Sequence, residues 1–443
     1  MIEITVTTHV ENPYHSGAGI YLNIAGQAPV KLSFNIKDYA RIGGPFDTKA
    51  AEFAYFCAII YGCDRLVERN TGDGDRWTRE IAVKIPVGNP ANWEACLETT
   101  EKMLEFLTGD IWRLTFLPES QPLFGSLFRK TRQNFRMKYT AKGSAVSLFS
   151  GGLDSLVGMI DWLEKNPEQS LLLASSYDAD AENARDDQNR LLPYLGANYP
   201  TRLSRFVGRS GLSSKGADLN FRSRSLTFLG NAVLAASFLD EGTPILIPEN
   251  GAIALNFPLA ASRSGSFSTR TVHPYFISQF NKLLTELGFT SLVHNPYEFK
   301  TKGEVVKQCL NQSLLQSVYM ESVSCGKRGF TKVNWHDRMQ RACGHCIPCI
   351  FRQAAVAFAN LEEESYGCNV ANRQEWGRSN LLEPTKDVQT VIDFLRADID
   401  PKTIWTKMRS NGHLDIERKD DYVDLIIRLR SELAGWLNDK GLL

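Results

Sequence analysis

Apolar and polar residues alternate along several short stretches of the first 120 residues or so, as they do in strands that bury one face. The alternating stretches are residues 2–10, 20–24, 30–34, 81–87 and 112–116. Between the last two, residues 93–107 repeat apolar side chains at helical spacing. We therefore predict an N-terminal α+β domain over residues 1–120. We find no catalytic motif in it, and we expect it either to dock a partner or to have a structural role.

The hydrophobic pattern changes at Ala145. Short apolar runs without alternation follow, which is typical of strands buried on both faces of a parallel sheet. The predicted strands are residues 145–149, 171–176 and 244–248, and the predicted helices between them are residues 153–163, 182–195 and 226–239. Strands that alternate with helices predict an α/β fold with a doubly wound parallel sheet, a Rossmann-like α/β/α sandwich.

Two further segments complete the predicted organisation. Residues 121–142 form a basic linker, in which six basic side chains and no acidic one lie between residues 129 and 142. The α/β domain takes residues 143–374. Amphipathic patterns at 388–395 and 422–437 predict a helical region over residues 375–443.

Composition narrows the class of protein. The 443 residues carry 50 basic and 50 acidic side chains, so we do not expect direct binding of nucleic acid by bulk charge. The longest near-continuous apolar run, residues 53–63, is about half as long as a bilayer span requires. The N-terminus has no basic segment followed by an apolar block, so we expect a cytoplasmic protein without a membrane partner.

A hexapeptide between a predicted buried strand and helix carries the first chemical signal. Residues 150–155 read SGGLDS, where Gly151 and Gly152 let backbone N–H groups approach an oxyanion at a helix N-terminus. The hydroxyls of Ser150 and Ser155 can donate to a pyrophosphate, and Asp154 can hold Mg²⁺. No lysine follows as in a Walker loop, which favours binding of the pyrophosphate half of ATP on an exposed loop.

Four cysteines carry the second signal. Cys343, Cys346 and Cys349 are spaced by two residues, and Cys325 precedes them by a loop. This spacing predicts a tetrahedral zinc site at residues 325–349, because the thiolates can converge on one ion. A [4Fe–4S] cluster and a sulfur-carrier role for Cys343 or Cys346 are the alternatives. The remaining cysteines are predicted to be small buried side chains: Cys57, Cys63, Cys96, Cys309 and Cys368.

The hexapeptide resembles the signature of the PP-loop family, the N-type ATP pyrophosphatases. The later four-cysteine site, followed by Arg352, is similar to that of the QueC-like (7-cyano-7-deazaguanine synthase-like) enzymes. So are the segment at residues 295–306, which contains Lys302, and the Arg224-Ser225 pair. The resemblance covers roughly residues 143–360. It implies ATP as cofactor, adenylation of a 7-deazaguanine carboxylate, release of pyrophosphate, and transfer to a nitrogen nucleophile.

The resemblance also suggests roles for individual residues. Catalytic roles fall to Asp154, Ser155, Arg224, Arg270 and Lys302, with Arg222 as a further candidate for neutralising phosphate charge. Tyr177, at the end of the second strand, is positioned to contact adenine. Substrate contacts are expected from Asn250, Asn256 and His273, and Arg263 is a further candidate for neutralising phosphate charge.

The chain departs from the stand-alone synthases in ways that point to a partner. It lacks their YPDCR stretch and adds the N-terminal and C-terminal segments, as in the enlarged QatC-like proteins of anti-phage Qat systems. That form implies an amine of an operon-encoded partner protein as the acceptor. A PP-loop tRNA sulfurtransferase and a nucleotide-binding, non-catalytic scaffold of a defence complex remain as alternative functions.

Overall fold

The computed structural model describes residues 1–9, 19–34, 39, 42–44, 46–69, 78–125, 128–130, 133, 139–178, 183–213, 216, 222–260, 270–327, 335–372 and 383–443. Ten strands form one sheet in the order β12-β11-β8-β9-β10-β3-β2-β1-β5-β6, and β4 pairs with β7 separately. The strands are β1 Ile2–His9, β2 Gly19–Ile24, β3 Val30–Phe34, β4 Ile42–Gly43, β5 Glu80–Val87, β6 Ile111–Pro118, β7 Tyr139–Thr140, β8 Ala145–Leu148, β9 Leu171–Asp178, β10 Leu203–Leu212, β11 Ile245–Leu246 and β12 Val293–His294.

Fourteen α-helices flank the sheet in the described part of the chain. They are α1 Thr48–Leu66, α2 Pro90–Ala95, α3 Leu97–Thr108, α4 Leu153–Lys165, α5 Asn183–Asn198, α6 Arg224–Ala236, α7 Gly251–Ala254, α8 Pro274–Glu286, α9 Lys302–Lys307, α10 Gln312–Val318, α11 Ile347–Phe358, α12 Glu383–Arg396, α13 Pro401–Arg409 and α14 Lys419–Asp439. Short 3₁₀ helices occur at Tyr319–Glu321 and Ile416–Arg418. No described helix combines the length and apolar character needed to cross a bilayer.

Five strands, β12-β11-β8-β9-β10, are parallel throughout. In chain order this arrangement reads 5-4-1-2-3, the doubly wound order in which the sheet is built outward in both directions from its first strand. The direction in which successive strands are added to the sheet therefore reverses between β8 and β11. The predicted α/β class with a doubly wound parallel sheet is confirmed.

Each face of the parallel strands is buried under a different layer of helices. Leu171 and Leu173 of β9 contribute to the core beneath α4, whereas Leu172 and Ala174 contribute to the core beneath α6 and α8. Because consecutive side chains of a strand point to opposite faces, both faces must be apolar. This explains why the sequence shows uninterrupted apolar runs here.

The N-terminal strands continue the same sheet. β3 pairs with β10 in antiparallel fashion, and helix α1 packs against α6 within a core common to both segments. The Tyr39 hydroxyl donates to the Asn231 side chain across this junction at 2.6 Å. Residues 1–120 and 143–374 are therefore joined by backbone pairing and by a shared core, and their division into domains stays a prediction.

Strand directions establish which ends of the sheet coincide. β1, β5 and β6 are parallel to each other and run opposite to the five strands from β8 onward. The amino ends of β5 and β6 consequently lie at the same edge as the carboxyl ends of β8–β12. The carboxyl ends of β5 and β6 lie at the opposite edge.

Candidate functional site

The SGGLDS hexapeptide forms the turn between β8 and α4. Gly152 caps the helix, and the Ser155 hydroxyl donates to the Gly152 carbonyl at 2.8 Å. The exposed Ser150 hydroxyl accepts from the Gly152 N–H at 3.2 Å and lies 3.3 Å from the Ser155 oxygen. Both serine hydroxyls are thus at a helix N-terminus at the carboxyl end of the first parallel strand, as the sequence predicts.

Gly151 is required by the geometry of this turn. Its φ of +85° lies in the left-handed region, and a Cβ there would stand 3.0 Å from Cβ of Asp187 and 3.1 Å from the backbone nitrogen of Gln188. Only glycine fits both constraints without strain. The close approach brings the loop against the first half of α5.

Asp154 lies in the first turn of α4 and forms a buried ion pair with Lys302, the first residue of α9. Its other carboxylate oxygen accepts from the Asn250 side chain at 3.2 Å. The sequence predicts that Asp154 lies on an exposed loop. The structure corrects this: Asp154 is only 7% exposed, because the reversal of strand order folds residues 250 and 302 over it.

Glu249 adds a second carboxylate to this group, and sequence reasoning did not select it. It accepts from the Asn250 side chain at 3.0 Å. Although part of the residue reaches solvent, burial of its carboxyl raises the pKa of Glu249 to about 8. The neighbouring Asp154 charge adds to the rise, and Lys302 opposes it. The Glu249 carboxyl is therefore harder to ionise than that of an exposed glutamate, and a cation bound beside it would favour the charged form.

These residues meet where the order of the parallel strands reverses. Asp154 follows β8, whereas Glu249 and Asn250 follow β11, the adjacent strand on the other side of the reversal. Ligands of open α/β sheets bind in the crevice outside the carboxyl ends of strands at such a point. The site thus combines helix N–H groups, two hydroxyls, one ammonium and two carboxylates in the position where this fold class binds nucleotides.

The predicted arginines lie at the same edge of the sheet but contact other groups. Arg222 donates to the Thr108 carbonyl at 2.6 Å and Arg270 to the Phe106 carbonyl at 2.9 Å, both in the last turn of α3. Burial lowers the pKa of each arginine to about 10. Arg224 lies over the Phe228 ring.

The predicted base and substrate residues are dispersed. The Tyr177 ring lies beneath the Arg185 guanidinium. Asn256, whose carbonyl accepts from the Asn411 side chain at 2.6 Å, lines an apolar cavity next to α7. His273 is fully buried at the start of α8 and accepts from the Tyr275 N–H at 3.2 Å, and burial lowers its pKa to about 3. Arg263 lies outside the described residues.

The four predicted cysteines come together. The sulfur atoms of Cys325, Cys343, Cys346 and Cys349 all lie within 4.8 Å of one another, and those of Cys343 and Cys349 are 3.8 Å apart. Four sulfurs about 2.3 Å from a central ion would be spaced by roughly 3.8 Å. Backbone N–H groups of Cys343 and Cys346 donate to neighbouring sulfurs at 3.4 Å each. The group could hold a metal ion.

Of the other cysteines, Cys57, Cys63, Cys96 and Cys309 are buried, as predicted. Cys368 is only half-buried. Its backbone N–H donates to the Cys343 carbonyl at 3.0 Å, which places it beside the four-cysteine group, although it is not one of the four residues that could hold a metal ion.

Arg352 connects the four-cysteine site to the SGGLDS turn. Its buried guanidinium forms two hydrogen bonds with Glu364, at 2.7 and 2.6 Å, and donates to the hydroxyls of Ser322 and Ser324. The Ser324 hydroxyl in turn accepts from the Leu153 N–H at 3.4 Å, and the Val323 N–H donates to the Gly151 carbonyl. The segment before Cys325 is therefore held between the two sites.

A cavity of about 390 Å³ opens beside both sites. Its walls are mainly apolar and include Phe257 and Phe351, and Lys327 and Asp387 form an ion pair at 3.3 Å on its lining. Ala252 and Ile253 of α7, directly after Asn250, form another part of the wall. A volume of this order accommodates a small heterocyclic ligand.

No family model, no curated protein and no solved structure was found to match this chain.

Proposed function

We propose that this protein is an ATP-dependent, adenylate-forming C–N ligase of the QueC-like kind. It activates the carboxylate of a 7-deazaguanine-type molecule and passes the acyl group to a nitrogen nucleophile. The observation that carries the proposal is the position of SGGLDS, with its hydroxyls and helix N–H groups, at the strand reversal beside the buried Asp154–Lys302 pair. Anion-binding groups at this point of a doubly wound sheet suit a pyrophosphate.

In the first step the substrate carboxylate oxygen attacks the α-phosphorus of ATP. The bond from that phosphorus to the bridging oxygen breaks, and pyrophosphate leaves with the electron pair. Ser150, Ser155 and the N–H groups at the start of α4 bind the departing pyrophosphate. Lys302 supplies positive charge next to it. Asp154 and Glu249 offer the carboxylate oxygens that Mg²⁺ prefers, and this ion would neutralise phosphate charge when bound.

In the second step an amine nitrogen attacks the acyl carbon of the adenylate. The carbon–oxygen bond breaks, AMP leaves, and the nitrogen loses a proton. Within the resemblance to Qat-type proteins, the amine belongs to an operon-encoded partner protein and the reaction serves anti-phage defence. Both points rest on the sequence resemblance.

The apolar cavity next to Asn250 supports a planar heterocyclic substrate. Such a molecule would lie between Phe257 and Phe351, while the Lys327–Asp387 pair would provide polar contacts. This arrangement replaces part of the predicted substrate set, because His273 is buried elsewhere under Phe106 and Gly412. Asn256 remains on the lining of the cavity.

We assign zinc to the four-cysteine group. The sulfur spacing suits a single tetrahedral ion, whereas a four-iron cubane separates its cysteine sulfurs much further. Burial of Cys343, Cys346 and Cys349 also disfavours a sulfur-carrier role, because a transferring thiol must reach the adenylate.

The test is to incubate the full chain with ATP, 7-carboxy-7-deazaguanine and the operon-encoded partner, and to follow nucleotides and protein mass. We expect AMP and pyrophosphate in equal amounts, together with a mass increment on the partner. Ser150→Ala should abolish AMP formation without unfolding, since Ser150 is exposed. Ser144→Ala, an exposed serine before β8, is the matched control and should retain activity. Formation of ADP and phosphate by the wild-type enzyme would contradict adenylation.

A further inference from the structure

A second cavity lies at the edge of the sheet opposite the SGGLDS turn. Its volume is about 430 Å³, and its walls come from the start of α1, the turns after β5 and β6, and the residues after α8. The carboxyl ends of β5 and β6 lie at this edge, so the two sites are separated along the strand direction by the length of an eight-residue strand, about 25 Å, and they also lie beside different strands of the sheet. The cavity is therefore distinct from the proposed adenylation site.

Two carboxylates, Glu52 and Glu119, contribute to the lining of this cavity. Glu52 is held firmly, because its oxygens accept from the Gly88 N–H at 2.6 Å and from the Trp93 indole N–H at 2.8 Å. Glu119 follows β6 and is half-buried. The two residues repel each other, and burial together with the Glu52 charge raises the pKa of Glu119 to about 7. Two negative groups thus share a confined space.

Aromatic rings form the rest of the wall. Phe53 and Trp93 lie with ring planes 9° apart at a centroid distance of 6.3 Å, and Phe289 packs edge-on against Phe53 at 5.6 Å. Phe124 also lines the cavity. Ring faces attract cations, and apolar walls strengthen the attraction between a cation and a carboxylate.

We propose that this cavity binds an organic cation, an ammonium or guanidinium group carried on an apolar stem, between the carboxylates of Glu52 and Glu119 and the aromatic wall. The cation can come from a basic side chain of a peptide or from a free amine. This binding function is separate from adenylation and does not depend on it.

The basic residues at the cavity leave room for such a ligand. The Lys49 ammonium is engaged by the Gly288 carbonyl at 2.7 Å and by the Phe289 ring, 4.4 Å from its centroid. Arg129 is exposed at the rim. The buried Tyr55 hydroxyl, whose pKa is raised by burial, by Glu119 and by Glu52, has no hydrogen-bond partner among the described residues.

The experiment uses isothermal titration of the full chain with two probes, agmatine as a free amine and N-acetyl-arginine amide as a peptide side chain, at constant ionic strength. Saturable binding of either probe supports the site, and the stronger of the two identifies the source. Affinity should rise from pH 6 to pH 8, because the Glu119 carboxyl gains its negative charge in this interval. The other charged side chains that line the cavity are Glu52, Lys49 and Arg129. Glu119→Gln should lower affinity at pH 8 about tenfold and remove the pH dependence.

Glu94→Gln is the matched control, because Glu94 is an exposed carboxylate on the same helix as Trp93 but does not line the cavity. Its affinity should equal that of the wild-type protein. The proposal is overturned if neither probe binds, if Glu119→Gln binds as tightly as wild type, or if a neutral amide of equal size binds equally well.

Discussion

At the scale of single residues, the most consequential contact is the buried ion pair between Asp154 and Lys302. Asp154 is 7% exposed and Lys302 is 4% exposed, so each charge depends on the other for solvation. Removing one partner leaves an uncompensated buried charge, whereas replacing both with apolar groups costs much less. The pair therefore has a structural role in addition to the catalytic role proposed for it.

We predict that Asp154→Ala lowers the free energy of unfolding by about 3 kcal/mol, because it removes the negative charge that pairs with the buried Lys302 ammonium. The double variant Asp154→Ala/Lys302→Met should regain most of that stability yet form no AMP. Denaturation with urea and the nucleotide assay measure the two effects separately. If Asp154→Ala is as stable as the wild-type protein, the pair is not the buried contact described above.

At the scale of elements, the C-terminal helix α14 positions the helix that carries Lys302. The Glu432 carboxylate accepts from the Gly303 N–H with both oxygens, at 3.1 Å each, and Arg428 pairs with Glu304. Burial raises the pKa of Glu432 to about 7. The predicted amphipathic helix at 422–437 thus packs on the core and also helps to position Lys302, because it contacts α9.

The four-cysteine segment helps to position the SGGLDS turn, to which it is connected by the hydrogen bonds of Arg352 and Ser324. We predict about one zinc per chain in metal analysis, and loss of that zinc in Cys346→Ser. Because metal binding is coupled to local folding, the variant should be cleaved faster by protease around residues 322–349 and should bind ATP more weakly.

Cys368→Ser is the control for this substitution, since Cys368 lies beside the group but outside it. It should keep its zinc and its protease resistance. Iron with visible cluster absorption in the purified protein would replace zinc in this assignment.

At the scale of the whole molecule, the N-terminal and α/β segments are packed as one body along α1 and α6. Gly230 of α6 lets the two helices approach closely: a Cβ there would lie 2.9 Å from both Cβ and Sγ of Cys57 and 3.2 Å from the Ala54 Cα. A buried network of Asp64, Asp110, Arg69 and Arg79 lies at the end of the same helix α1. Removal of residues 1–142 would expose the α6 face and the edge of β10.

We predict that Gly230→Ala destabilises the entire chain by about 1–3 kcal/mol, because it overpacks this helix contact. Gly435→Ala in α14 is the matched control: nothing lies within 4 Å of its added Cβ. There the change should be neutral or stabilise by up to about 1 kcal/mol, the usual helix preference for alanine. Thermal unfolding should show one transition in both variants, and separate transitions for the two segments would contradict a common core.

This shared core bears on the expectation that the N-terminal segment docks a partner. A chain truncated near Lys142 would carry an exposed apolar face, so truncation does not isolate a docking role. Substitutions at the organic-cation cavity test a docking role more cleanly, because they leave the core intact.

Several structural features of this protein can be predicted from the local pattern of its sequence. Uninterrupted apolar runs reveal strands buried on both faces, and glycines and serines between such a strand and a helix mark the anion-binding turn. Cysteines two residues apart converge whatever the surrounding fold, so the four-cysteine group is also predictable. These features depend on neighbours within a few positions along the chain.

The hydrophobic pattern does not predict helix α1 or strand β10, and each case has a physical reason. Helix α1 is apolar on nearly all sides because it lies between the sheet and α6, so it lacks the periodicity of an amphipathic helix. Strand β10 carries Arg205, Arg209 and two glycines, a composition more typical of a basic loop than of a strand. In the sheet Arg205 is accommodated by hydrogen bonds to Ser175 and Gln188.

Only the tertiary structure decides which distant groups meet. Asp154 is brought to Lys302 and Asn250 by the reversal of strand order, Glu432 reaches Gly303 from the C-terminal helix, and β3 extends the parallel sheet at β10. None of these contacts leaves a periodic or spacing signal, since each joins residues about 95 or more positions apart. The chemistry of each residue type can be inferred locally, but burial, charge pairing and the opposite placement of the two cavities arise from how the sheet is assembled.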